Sequence, residues 1–265
     1  MVKSLNHLAL AAAVAGGLGL AGTAQAETLR VGVTPGPHAE IMEVVAEVAA
    51  EEQGLTIEIL EFSDYVVPNT ALADGELHLN SFQHAPYLDN QVRDRGFDLV
   101  NAGPTVVFPM GFYSNNYDSF DEVPEGASIA IQNDPTNGGR SLLLLQSAGL
   151  LTLGEDTGLT PSILDITENP KNFEFIELDA AQLPRSLEDV DVASVNTNYA
   201  VEAGLDPNED AILREGQESP YMNIIAVRGE DLEAEWLERF LAAYHSDPVR
   251  AFVEERFQGA VVSGF

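Results

Sequence analysis

Few residues in this sequence have a wide chemical repertoire. The 265-residue chain contains five histidines and no cysteine. His84 stands in the stretch Asn80 to Gln91, NSFQHAPYLDNQ, flanked by Phe82 and Tyr87. Three roles compete for it: metal ligand, general base, or one wall of an aromatic pocket. A zinc or transition-metal site needs three or four His, Cys or carboxylate ligands in one place. His38, His78, His84 and His245 lack that spacing, so no metal is expected. A general base needs a nucleophile and an orienting partner, and neither a Gly-x-Ser-x-Gly elbow nor a cysteine exists to supply the nucleophile. The pocket wall has geometric support. In an extended segment Phe82 and His84 project to the same face, and Pro86 suits the first turn of a following helix, which carries Tyr87 round to the same place. The spacing also fits a plainer arrangement, with Phe82 in the core, His84 at the surface and Tyr87 packing a helix start.

Two further stretches carry polar chemistry. In NDPTNGGRSLLLLQ a glycine-containing turn between strand and helix would present free N–H groups at the positive helix end, which favours an anion. Arg140 lies there, one of 12 lysines and arginines against 43 acids, and its planar fork matches a carboxylate. A surface arginine paired with a nearby acid fits the spacing equally. The P-loop pattern and its lysine are missing, which argues against a nucleotide. In SVNTNYA and SPYMNII, Asn196 follows a short strand and Asn223 interrupts an apolar run. An unpaired amide is costly there, and each side chain offers both donor and acceptor. Bonding to local backbone is the plainer reading of both.

The elements that must position these residues alternate along the chain. LRVGVTPGPHAEIMEVVAEVAAEEQGLTIEIL reads strand, turn, helix, strand, a βαβ unit whose default is a parallel sheet. The pattern recurs in NTALADGELHLNSF and YLDNQVRDRG, in a strand pair around Gly103-Pro104, and in ASIAIQNDPTNGGRSLLLLQSAGL and VDVASVNTNYAVEAG. YMNIIAVRG adds a strand before C-terminal helices. No fixed-period repeat or linker appears, so two α/β lobes exchanging strands, with one cleft between them, fit best. At the front, Lys3, an apolar run from Leu8 to Leu20 and Ala24-Gln25-Ala26 form a secretory leader, residues 1–26, too short for the ~20 residues of a spanning helix. The net charge of −31 excludes a nucleic-acid partner. The acids are scattered, as in a solvated surface, and suit high salt, where self-repulsion is screened.

Taken together, VGVTPGPHAEI, FSDYVVPNTAL, NSFQHAPYLD, NDPTNGGRSLLLLQ, ENPKNFEF, QLPRSLEDVD, NTNYA and ESPYMN resemble the methionine-binding NlpA lipoprotein family of ABC-importer components, in order along nearly the whole mature chain. The resemblance implies a periplasmic-binding-protein fold, which agrees with the strand order; crossovers near Phe108 to Phe112 and near Tyr221 to Ile225 would divide it into residues 27–110 plus 223–265 as lobe 1 and 111–222 as lobe 2. It implies a non-enzymatic, monomeric receptor without cofactor, which binds L-methionine and delivers it to a membrane permease with its ATPase. Tyr65, Phe82, His84 and Tyr87 would surround the thioether, Arg140 would hold the carboxylate, and Asn196 and Asn223 the polar end, Asn223 the ammonium. Another amino acid, a methionine-containing dipeptide, or an exported enzyme acting on a small carboxylic acid are the rival functions. The family's lipidated cysteine is replaced by Thr23, so a soluble periplasmic protein starting at Glu27 is expected.

Overall fold

The structure is a computed structural model that describes residues 27–216 and 219–265. The leader and Thr23 lie outside the described residues. The expected βαβ unit is present: β1 (Glu27–Val33), α1 (Pro37–Val48) and β2 (Leu55–Glu61), with the two strands parallel along their whole length. α2 (Val67–Ala73) leads into β3 (Leu79–His84), and α3 (Ala85–Arg95) follows without a gap. β4 (Leu99–Val107) is one continuous strand where a pair was expected around Gly103-Pro104. Pro104 is tolerated because the β4–β12 ladder shifts register beside it, so its missing N–H falls at an irregularity.

Residues 108–110 carry the chain to a second sheet. There follow β5 (Gly111–Tyr113), β6 (Ser128–Gln132), α4 (Pro135–Ser147), a small ladder of β7 (Thr152–Leu153) and β8 (Ile166–Glu168), then β9 (Glu174–Leu178), α5 (Leu183–Ser186), β10 (Val192–Val195), α6 (Thr197–Glu202) and β11 (Leu213–Arg214). The chain returns as β12 (Met222–Arg228) and ends in α7 (Glu235–Tyr244), α8 (Asp247–Phe257) and β13 (Val262–Ser263). The first sheet has the order β13-β4-β12-β3-β1-β2 and the second β11-β5-β10-β6-β9.

Parallel pairing holds among β1, β2 and β3 and among β6, β9 and β10. The strands that arrive from the other sheet break it: β12 is antiparallel to β3 and β4, and β5 is antiparallel to β10. A strand entering by such a crossing has no helical crossover to impose a parallel direction. Alternation then builds a core on each face. Ile225 and Val227 pack with α1, α7 and α8, while Ile224 and Ala226 pack with α2 and α3. In the second sheet Ile129 and Ile131 meet α4, and Ala130 meets α5 and α6. Among the described residues no helix is long and apolar enough to cross a membrane.

The stretch before Arg140 differs from the expected open turn. α4 begins at Pro135, and the Asp134 carboxylate caps it by accepting from the N–H groups of Thr136 (3.2 Å) and Asn137 (2.9 Å). The helix's positive end is satisfied by the chain's own anion. Its two glycines serve packing. A Cβ on Gly138 would lie 2.5 Å from the Gln132 carbonyl oxygen, and one on Gly139 would lie 2.9 Å from that of Leu159. Gly138→Ala should therefore push α4 off β6 and destabilise the protein by about 1–3 kcal/mol. Urea unfolding measures this, and an unchanged midpoint would contradict the close approach.

Candidate functional site

The N-terminal ends of four helices meet at one cavity between the sheets. α1 contributes His38, α3 follows His84 and supplies Tyr87, α4 supplies Asn137 and Arg140, and α6 follows Asn196 and supplies Asn198. Tyr65, Phe82, Gln83, Phe108 and Asn223 complete the wall. β3, β6 and β10 all end here, the position where strand ends and helix starts leave a crevice in α/β folds. All seven residues singled out from the sequence, Tyr65, Phe82, His84, Tyr87, Arg140, Asn196 and Asn223, line this cavity. His38, Gln83, Phe108, Asn137 and Asn198 were missed. Of these, His38 had a signal, a buried-helix start directly after the first strand in TPGPH.

The aromatic side is a cluster of rings. Tyr65 lies 5.9 Å from Phe82 and 6.2 Å from Tyr87, Phe82 lies 6.2 Å from Tyr87, and the His84 ring stands at 90° to that of Tyr87. His84 is buried, not at the surface, and it caps α3: its Nδ1 accepts from the Tyr87 N–H at 3.1 Å. That leaves Nε2 as the protonated nitrogen, which donates to Asn137 Oδ1 at 3.2 Å. Burial, aided by the nearby Arg140 charge, lowers its pKa to about 3. His38, packed 4.4 Å from the Phe108 ring, is lowered to about 3 by burial as well. Both rings are neutral at physiological pH.

A relay of amides forms the polar floor. Gln132 donates to Asn196 Oδ1 (2.8 Å), Asn196 donates to Asn137 Oδ1 (3.0 Å), and Asn137 donates to the Asp134 carboxylate (2.9 Å). Asn196 therefore keeps one N–H without a partner among the described residues. Asn198 Oδ1 accepts from the Tyr65 hydroxyl at 2.6 Å, while its Nδ2 has no partner among the described residues. The side chain of Asn223, opposite His84 on β12, has among the described residues only a long 3.5 Å contact to the Tyr221 carbonyl.

Arg140 is neither a surface arginine nor an open fork. Its side chain is 2 % exposed. Nε donates to Glu215 Oε1 at 2.8 Å, and Nη2 donates to Glu215 Oε2 at 2.5 Å and to the Phe108 carbonyl at 2.8 Å. The Tyr221 ring covers one face of the guanidinium at 4.4 Å. Nη1 alone has no hydrogen-bond partner among the described residues, and Arg140 lines the cavity. The arrangement suits a small zwitterion: a buried cation for an anionic end, unclaimed amide atoms for an ammonium, and rings for an apolar chain.

Known proteins are similar over the same span. The family model described as NlpA lipoprotein matches residues 29–265. The "Probable D-methionine-binding lipoprotein MetQ" of Vibrio cholerae serotype O1 is 48% identical over 269 residues, covering 100% of both chains. The "D-methionine-binding lipoprotein MetQ" of Salmonella typhimurium is 46% identical over 271 residues, again covering 100% of both. The structure of a nutrient binding protein from Burkholderia cenocepacia bound to methionine is 48% identical, with a TM-score of 0.88 over 89% of this chain and 100% of that one. The fold is accordingly of the periplasmic-binding-protein type, and the chain belongs to the NlpA lipoprotein family.

Proposed function

We propose that this chain is an extracytoplasmic substrate-binding protein that captures L-methionine and delivers it to an ABC importer. The observation that carries the reading is one cavity in which a ring cluster faces a buried guanidinium and under-used amides, in a chain similar throughout to proteins named for D-methionine binding and to a nutrient binding protein solved with methionine bound. Tyr65, Phe82, His84 and Tyr87 hold the thioether, since a polarizable sulfur gains from ring edges. Arg140 offers Nη1 to the carboxylate. Asn223 accepts from the ammonium, and Asn196 gives its remaining N–H to the polar end.

Residues 27–110 plus 223–265 and residues 111–222 act as two lobes that close on the ligand. The division of strands between the two sheets supports this. The reading is of binding without catalysis, and the lining supports it: among the described residues no serine, threonine or cysteine lines the cavity, and both nitrogens of His84 are engaged. The acting form is a monomer that meets a membrane permease with its ATPase. Thr23 in place of a lipidated cysteine supports release into the periplasm.

L-methionine at ~100 times its dissociation constant should stabilise the fold by about 2.7 kcal/mol. Thermal unfolding across the common amino acids and D-methionine measures this, and a clear shift with another ligand but none with L-methionine would overturn the assignment. Because the side chain of Asn223 makes almost no hydrogen bonding of its own among the described residues, Asn223→Ala should weaken methionine about tenfold or more without a matching loss of melting temperature. Equal losses in both would make it a structural residue.

The histidines set a pH dependence of stability. In the fold both His38 and His84 stay neutral to about 3, whereas the unfolded chain takes up those protons from about 6.5. Their contribution is complete above about 6.5 and falls as pH drops toward 3, by up to roughly 1.4 kcal/mol per unit for each group. His38→Gln removes one of them, so its stability relative to the parent should improve between roughly pH 7 and pH 5. A difference that stays constant with pH would count against the buried neutral ring.

A further inference from the structure

We propose that Glu215 is a positioning residue for ligand capture: it turns Arg140 so that only Nη1 reaches the ligand, without touching the ligand itself. Glu215 stands 75 residues from Arg140, just beyond β11, and belongs to the segment that carries the chain back to the first sheet. Its carboxylate meets the Nε and Nη2 edge of the guanidinium, the planar two-bond geometry that fixes both distance and orientation. The carboxylate is itself held, because Oε2 also accepts from the Met110 N–H at 3.0 Å while the Glu215 N–H donates to the Met110 carbonyl at 3.0 Å. The second hydrogen of Nη2 goes to the Phe108 carbonyl, and Tyr221 covers one face. Among the described residues, every guanidinium N–H is then claimed except those of Nη1. Glu215 does not line the ligand cavity; it lies on the far side of Arg140, in a separate surface groove shared with Leu143, Ser147 and Pro220.

Two consequences follow. The ligand's anionic group is met end-on by one nitrogen, where the sequence had suggested a bidentate grip. Arg140 and Glu215 together carry no net charge, so the head-group region favours a ligand that is itself neutral overall, with carboxylate and ammonium both present. The opposite role for Glu215, a counter-charge that merely weakens the arginine, predicts the opposite sign: removing it would tighten anion binding.

The inference rests on the reading that Arg140 meets a ligand carboxylate, and the test separates the two. Calorimetry compares L-methionine with L-methioninamide, which lacks the carboxylate, on the parent, Glu215→Gln and Glu215→Asp. The parent should prefer the acid. Glu215→Gln, nearly isosteric and uncharged, should weaken methionine about tenfold while changing methioninamide much less, so that the preference for the acid shrinks. Glu215→Asp, which keeps the charge on a shorter arm, should recover part of it. Unchanged or tighter methionine binding in Glu215→Gln, or equal losses for acid and amide, would overturn the positioning role. A parent that does not distinguish acid from amide would overturn the reading of Arg140 and this inference with it.

Discussion

The ion pair between Arg140 and Glu215 is the interaction on which the rest of the site depends. A guanidinium buried alone is expensive, and the attraction of its partner offsets that cost only where the geometry is good and the remaining protons are satisfied. Here the partners come from α4, from the outgoing crossing at residues 108–110 and from the returning crossing that holds Glu215 and Tyr221. The pair thus ties the two segments that join the sheets to the helix that carries the cavity-lining cation. In a chain of net charge −31, a single oriented positive group at the cavity stands out by contrast with its surroundings.

Neutrality is the second constraint. The cavity holds two imidazoles, and a positive charge on either would oppose Arg140 and the converging helix N-termini. Burial keeps both uncharged, and His84 spends its two nitrogens on capping α3 and on Asn137. One ring therefore closes the hydrogen-bond account of a helix end, supports the amide relay and presents an apolar face beside Tyr87. The cavity is thereby left with an apolar ring side and a single charged group, Arg140, at its other end.

Much of this was legible from local pattern. The two-residue spacing of Phe82 and His84, followed by Pro86, located a strand end and helix start that place Tyr87 on the same cavity, because strand and helix periodicity act within a few residues. Asn223 was conspicuous as an amide in an apolar run, and the structure leaves it nearly unbonded. Glu215 was illegible, since nothing in a mostly acidic sequence distinguishes one glutamate that meets an arginine 75 positions away. The glycines before Arg140 misled for a related reason. They resembled a turn, but their cause is the close approach of α4 to the Gln132 and Leu159 carbonyls, a tertiary contact. Antiparallel β12 and β5 were likewise hidden, because direction there is set by the crossing between sheets.

The most direct measurement of the central claim is the identity of the small molecule that the protein carries from the cell. Protein purified without added ligand from cells grown in rich medium would be denatured and the released molecules identified by mass spectrometry. The expected result is intact L-methionine, up to one per chain and unchanged after prolonged incubation with the protein. Recovery of a different amino acid, or conversion of methionine to a product during that incubation, would contradict it.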